Sequence, residues 1–164
     1  MAGVTLNASF SMDASVSGAA GIASPRAGTA VRKSFSMAPG TATVDQADLE
    51  YAATRVLANS ATENLDLAGV LTSPIGTTIA AAEVVAMYFE VTAGQLIIGA
   101  AASNGFFGPL NAAGTITLNA GEWIPMFSRS GWPVTATTGD LLKVTAGAAG
   151  ATYNVVIVAR SVAR

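Results

Sequence analysis

From Val4 to Ser17 apolar and polar residues alternate without a break. Val4, Leu6, Ala8, Phe10, Met12, Ala14 and Val16 are apolar, and Thr5, Asn7, Ser9, Ser11, Asp13, Ser15 and Ser17 stand between them. Successive side chains of a strand point to opposite faces, so this period of two predicts a long strand with one buried face. Such length predicts either a bend or an arm that leaves the domain and pairs with a neighbour. Gly18 to Gly28 is rich in Gly, Ala and Ser, contains Pro25, and reads as a flexible connection. A second alternation sets Val31, Phe35 and Met37 against Arg32, Ser34 and Ser36, and Pro39-Gly40 ends it.

Asp45 to Ala58 fits two patterns. Asp45 could cap a short helix, with Leu49, Ala52, Ala53 and Val56 near helical spacing. The reading adopted is a turn over Asp45–Asp48 and then a strand, because Tyr51–Ala58 leads directly into the next strand-like run. Leu65–Leu67, Val84–Val91, Leu96–Ile98, Thr115–Leu118, Glu122–Phe127, Trp132–Thr137, Leu141–Thr145 and Tyr153–Val158 follow, separated by turn residues. Gly94-Gln95 reads as a turn, Ser103–Pro109 as a loop, and Asn119-Ala120-Gly121 as a three-residue hairpin connection. Tyr153–Val158 has little polar alternation and predicts a central strand buried on both faces. Nine or ten short strands at this spacing predict an all-β fold, an antiparallel β-sandwich of jelly-roll-like form. Residues 1–40 form an extended N-terminal arm and connection, and residues 41–164 form the sandwich domain.

Charge changes the picture. Charged residues are 11% of the 164-residue chain, against about 25% in a typical soluble domain, while hydrophobic residues reach 51%. Eight basic and ten acidic side chains are too few to cover a monomer of this size. Large apolar patches usually mark interfaces, so the composition predicts an oligomer or a component of a larger lattice. Net charge is −2 with no basic run, so the footprint of nucleic-acid binding is missing. The most apolar stretch, Ile79–Val91, contains Glu83 and Glu90 and is shorter than the ~20 residues a spanning helix needs. No membrane partner is expected, and the first ten residues lack the basic and apolar regions of a secretory signal.

The chain has no cysteine and no histidine. Disulfides, Ser-His-Asp and Cys-His catalysis, and His- or Cys-ligated metals are therefore excluded. No phosphate-binding glycine loop is followed by Lys-Ser/Thr. The remaining catalytic option is a pair of carboxylates among Asp45, Asp48 and Glu50, set against a solvated turn with a capping aspartate. The same three acids could offer oxygen ligands to calcium, without the EF-hand pattern. Trp123 and Trp132, with Phe106, Phe107 and Phe127, are candidates for a sugar-stacking platform, set against core or interface anchors. The reading is a non-enzymatic protein with no catalytic residue, cofactor or metal.

Several short stretches carry a family resemblance. They are Gln46-Ala47-Asp48 before the run Thr54–Leu57; Asn64–Gly69 (NLDLAG) with Leu71-Thr72 and Gly76; and Gly99–Asn104 with Phe107-Gly108-Pro109. Asn119-Ala120-Gly121, Trp132–Ala136, Thr138–Val144 and the closing run Tyr153–Val158 add to them. Over about Asp45–Ala159 the chain resembles small structural proteins encoded by tailed bacteriophages and prophages near capsid genes. It departs from them at Asn119–Gly121, where they often have Pro-Gly-Gly, and over Val84–Glu90, where they usually carry a lysine. The resemblance implies a virion component, made in the host cytoplasm. The expected role is a capsid decoration (cement) protein, a homotrimer on the outer capsid surface that binds the major capsid protein. The expected contacts are Val4, Leu6, Phe10 and Met12, since an extended arm can add an edge strand to a partner sheet. Competing expectations are a tail or head-fibre protein, a glycan-binding adhesion module, and a cell-wall enzyme working through two carboxylates.

Overall fold

The computed structural model describes residues 3–18 and 26–164. The described residues form eleven strands and no helix. In chain order these are β1 (Leu6–Ser17), β2 (Arg26–Pro39), β3 (Gln46–Ala47), β4 (Leu49–Leu57), β5 (Thr62–Asp66) and β6 (Ala68–Thr72). β7 (Thr78–Ala80), β8 (Glu83–Ala100), β9 (Thr115–Asn119), β10 (Trp123–Pro133) and β11 (Leu141–Arg160) complete the set.

β8 and β11 hold the architecture together. They are 18 and 20 residues long and pair antiparallel along most of their lengths. Both are rich in the β-branched residues that pack well on a pleated surface. The first half of β8 and the second half of β11 are flanked by β10 and β4, in the order β10-β8-β11-β4. Their other halves are flanked by β9 and β5 instead. Between the halves the strands bend. Gly94 and Gly150 take φ of +75° and +82°, and the β8–β11 register breaks between Ala146 and Ala151. A Cβ on Gly94 would stand 2.1 Å from the Gly150 carbonyl oxygen, so the two backbones meet where only glycine fits.

The two halves share one core. Met87, Phe89, Val91, Tyr153 and Ile157 enter it from one half, and Leu65, Leu96, Ile98, Leu142 and Val144 from the other. Antiparallel sheets around a single core, with long strands crossing between them at bends, are consistent with a β-sandwich. The small β6–β7 pair adds Leu71 and Ile79 to that core.

The bend explains where strand boundaries differ from the sequence expectation. Asn119–Gly121 does turn, with Gly121 at φ +85° and the Glu122 N–H donating to the Asn119 carbonyl at 2.9 Å. It is not a hairpin, however: β9 and β10 do not pair with each other, and both lie along β8. Gly94-Gln95 likewise bends one continuous strand rather than separating two. Leu141–Thr145 and Tyr153–Val158 are two ends of β11, and Trp132 closes β10 instead of opening a new strand. Asp45–Ala58 is strand rather than helix, but the turn expected over Asp45–Asp48 ends at Asp45, because Gln46–Ala47 pair with β2 as β3 before β4 begins at Leu49.

β1 and β2 form a hairpin in which every residue of Leu6–Ser17 has a partner, from Leu6 opposite Met37 to Ser17 opposite Arg26. β3 joins β2 in parallel, and Val4 bridges to Ala47. The flexible connection expected over Gly18–Gly28 lies mostly outside the described residues, and Arg26–Gly28 already belong to β2.

Candidate interaction surface

The two alternating segments meet in register, so the hairpin has one apolar and one polar face. Leu6/Met37, Ala8/Phe35, Phe10/Lys33, Met12/Val31, Ala14/Thr29 and Val16/Ala27 are opposed on the first. Serines, Asn7, Asp13 and Arg32 occupy the second. Near the base, the apolar face lies on the outer surface of the β8–β11 sheet. There Val4, Leu6, Phe35 and Met37 pack with Ala47, Val85, Ala86, Val156 and Val158 in a second, smaller core. The Phe35 ring stacks on Phe127 with centroids 4.9 Å apart, and the Arg129 guanidinium lies 5.5 Å over Phe35. Arg129 also pairs with Asp45, which ties the β2–β3 connection to β10.

Beyond this base the same apolar face continues, with Phe10 over a cleft of the body and Met12 and Val16 past it. Phe10 is 41% exposed, Met12 45% and Val16 74%. The four residues expected from the sequence as contacts therefore divide. Val4 and Leu6 are half-buried anchors of the hairpin on its own body, while Phe10 lines the cleft between hairpin and body and Met12 lies past it. An Asp13–Arg32 ion pair at 2.8 Å crosses the hairpin on its polar face, with both side chains exposed; pairs of that kind add little stability.

Between hairpin and body lies an apolar cleft of about 310 Å³, lined among others by Leu6, Phe10, Tyr88, Trp123, Phe127 and Val158. On β10, Trp123, Pro125 and Phe127 face this cleft, while Ile124 and Met126 turn to the main core. Trp123 is 53% exposed and lies 6.3 Å from Tyr88. Burial, with the neighbouring Glu90 carboxylate, raises the Tyr88 phenol above its ordinary value. A phenol is uncharged at neutral pH even at its ordinary value, and no described residue lining the cleft carries a charge. The sequence reading missed the cleft and the Phe35–Phe127 stack. The unbroken apolar run Trp123–Phe127, which leaves both faces of a strand in need of cover, was their signal, and both depend on how a distant hairpin folds back.

The proposed aromatic platform is not one surface. Phe106 is in the core and Trp132 packs against it, whereas Trp123, Phe107 and Phe127 are exposed. Of the three acids, Asp45 and Asp48 are engaged by other groups. Asp45 pairs with Arg129, and Asp48 accepts the Ser161 N–H at 2.8 Å and its hydroxyl at 2.5 Å. Asp48 and Glu50 line a second cleft of about 420 Å³ beside Ser73–Thr77. Among the described residues no three acids are grouped to hold a metal ion.

One polar cluster lies at the edge of the six-stranded sheet where β4 and β5 diverge. Arg55 donates to both Glu63 oxygens, at 2.8 and 2.5 Å, and to the Tyr51 hydroxyl at 2.8 Å; the Tyr153 hydroxyl donates to Glu63. Burial raises the Glu63 carboxyl, but the bonds from Arg55 and Tyr153 and the Arg55 charge outweigh it and hold it below its ordinary value. Burial and the same carboxylate push the Tyr153 phenol far up. The cluster joins the two halves of the bent sheet, and its groups are committed to one another.

Comparison with protein-family models, with curated proteins and with solved structures finds no match.

Proposed function

We propose that this protein is a non-enzymatic virion component, a capsid decoration protein that binds the outer capsid surface through its N-terminal hairpin. In this reading the body is a jelly-roll-like sandwich and the hairpin is its arm. The chains associate as a homotrimer and dock on the major capsid protein. The action is mechanical: apolar surface buried across seams between capsid subunits resists internal pressure. At about 25 cal/mol per Å², less the cost of association, a modest footprint repeated over a shell adds up to a large stabilisation.

The observation that carries this reading is the overhanging half of the hairpin. Phe10, Met12 and Val16 form a partly exposed apolar row, with Phe10 over the cleft and Met12 and Val16 past the body. A two-stranded ribbon is marginal alone in water, so this half gains most from a partner. The low charge content and the phage-like stretches point the same way. The test is to add the purified chain to expanded capsids that lack it and sediment them. The reading predicts saturable binding to capsids and, by light scattering, a mass that is a whole multiple of three chains. A monomer that ignores capsids but binds tails or fibres would replace it with the fibre reading.

A second reading, glycan adhesion, is favoured by the exposed Trp123 ring beside Tyr88. It predicts glycan affinity that is lost in Trp123→Ala.

A further inference from the structure

We infer that the free edge of β1 is a pairing surface for a second copy of this chain. β2 lies along one edge of β1 from Leu6 to Ser17, and among the described residues no strand lies along the other. An open edge is a template for another strand, and proteins usually block such edges with lysine, proline, a bulge or brevity. β1 uses none of these. It is 12 residues long, has no lysine, proline or glycine, and its register with β2 is unbroken. Its single charge, Asp13, is already matched by Arg32 on β2.

The pattern of β1 selects a copy of itself as the occupant. Directly opposed residues of an antiparallel pair lie on the same face, so period-two strands pair only in registers that set apolar against apolar. The registers centred on Ser11 and on Met12 share the longest overlap, and the one centred on Ser11 keeps Asp13 farther from its own copy, with residues 6 to 16 facing residues 16 to 6 of the second chain. Leu6 then faces Val16, Ala8 faces Ala14, and Phe10 faces Met12, a favourable sulfur–aromatic pair. On the polar face Asn7 meets Ser15, Ser9 meets Asp13, and Ser11 meets its own copy. No like charges oppose each other, and the Ser9 hydroxyl can donate to the Asp13 carboxylate. The strand is complementary to itself, as a two-fold contact requires.

The product is a four-stranded sheet, β2-β1-β1-β2, built from two ribbons. Its apolar face merges Phe10, Met12, Val16 and Val31 of both copies, and three or more strands with an apolar face are stable where a ribbon alone is not. Pairing uses the β1 edge and leaves this merged face free, so it is independent of the proposed capsid contact. A monomeric body gives dimers, and a trimeric body gives paired trimers.

The test uses the absence of cysteine from the chain. In either kind of antiparallel pair, opposed Cα atoms are about 4.5–5.5 Å apart, within disulfide reach. Ser11→Cys is expected to form a covalent dimer on mild oxidation. Asn7→Cys mixed with Ser15→Cys is expected to cross-link, while each of these two alone does not. Ser11→Asp, which faces Arg32 within its own hairpin but its own like-charged copy at the two-fold, is expected to halve the solution mass while leaving the circular dichroism unchanged. An unchanged mass in Ser11→Asp, or equal cross-linking at every position, overturns the inference. Loss of mass with capsid binding intact supports it and leaves the proposed function standing. Capsid binding by a chain that is monomeric throughout overturns the inference alone.

Discussion

Arg160 and Glu83 form an ion pair inside the protein, with the Arg160 Nη2 2.7 Å from the Glu83 Oε2 and no solvent on the guanidinium. Arg160 also donates to the carbonyls of Val44 and Arg129, at 3.0 and 3.2 Å. One side chain at the end of β11 thus fixes the β2–β3 connection and the bulge of β10. Breaking a buried pair strands a charge, so Glu83→Gln is expected to cost about 3–5 kcal/mol. The measurement is a lower urea midpoint at unchanged slope.

Gly131 takes φ of +81°, and a Cβ there would lie 2.7 Å from Arg160 and 2.8 Å from Glu83. Gly94 meets the Gly150 backbone still more closely. Gly94→Ala is expected to cost about 3 kcal/mol, from left-handed strain plus a clash that backbone cannot relieve. Gly121→Ala also has positive φ but open space around it, and is expected to cost about 1 kcal/mol. Chemical denaturation of the two variants checks the difference.

These glycines mark the limit of what the sequence shows. The all-β class, the strand-forming runs and the amphipathic faces of β1 and β2 are legible because period two is a local property. The bend is not. Gly94 and Gly150 look like turn residues, and only the contact between them across two strands reveals that each strand continues. For the same reason Asn119–Gly121 imitates a hairpin. The Phe10–Met12 row was legible, but the division between Leu6 on the body and Phe10 beyond it depends on where Phe35 meets Phe127.

Glu63 links stability to pH. Its carboxyl is held below the ordinary value in the folded protein, so the folded state binds the proton more weakly than the unfolded state. Its contribution is present above the unfolded value of about 4.3 and is lost as pH falls through the lower folded value. Glu63→Gln is expected to reduce stability at pH 7 and to flatten its decline in acid. Urea midpoints of both proteins between neutral and strongly acidic pH measure this.

Phe35 ties the hairpin to the body through Phe127 and Arg129. Phe35→Ala is expected to cost about 3 kcal/mol and to raise amide exchange in β1 and β2 before β8 or β11. Equal exchange across all four strands would mean that the hairpin is no separate unit.

The most direct test of the central claim is sedimentation of capsids with the Phe10→Asp/Met12→Asp double variant. Both side chains are exposed and leave the body's core untouched. The account predicts a variant as stable as the parent chain whose capsid occupancy falls at least tenfold. A folded variant that binds capsids like the parent would contradict it.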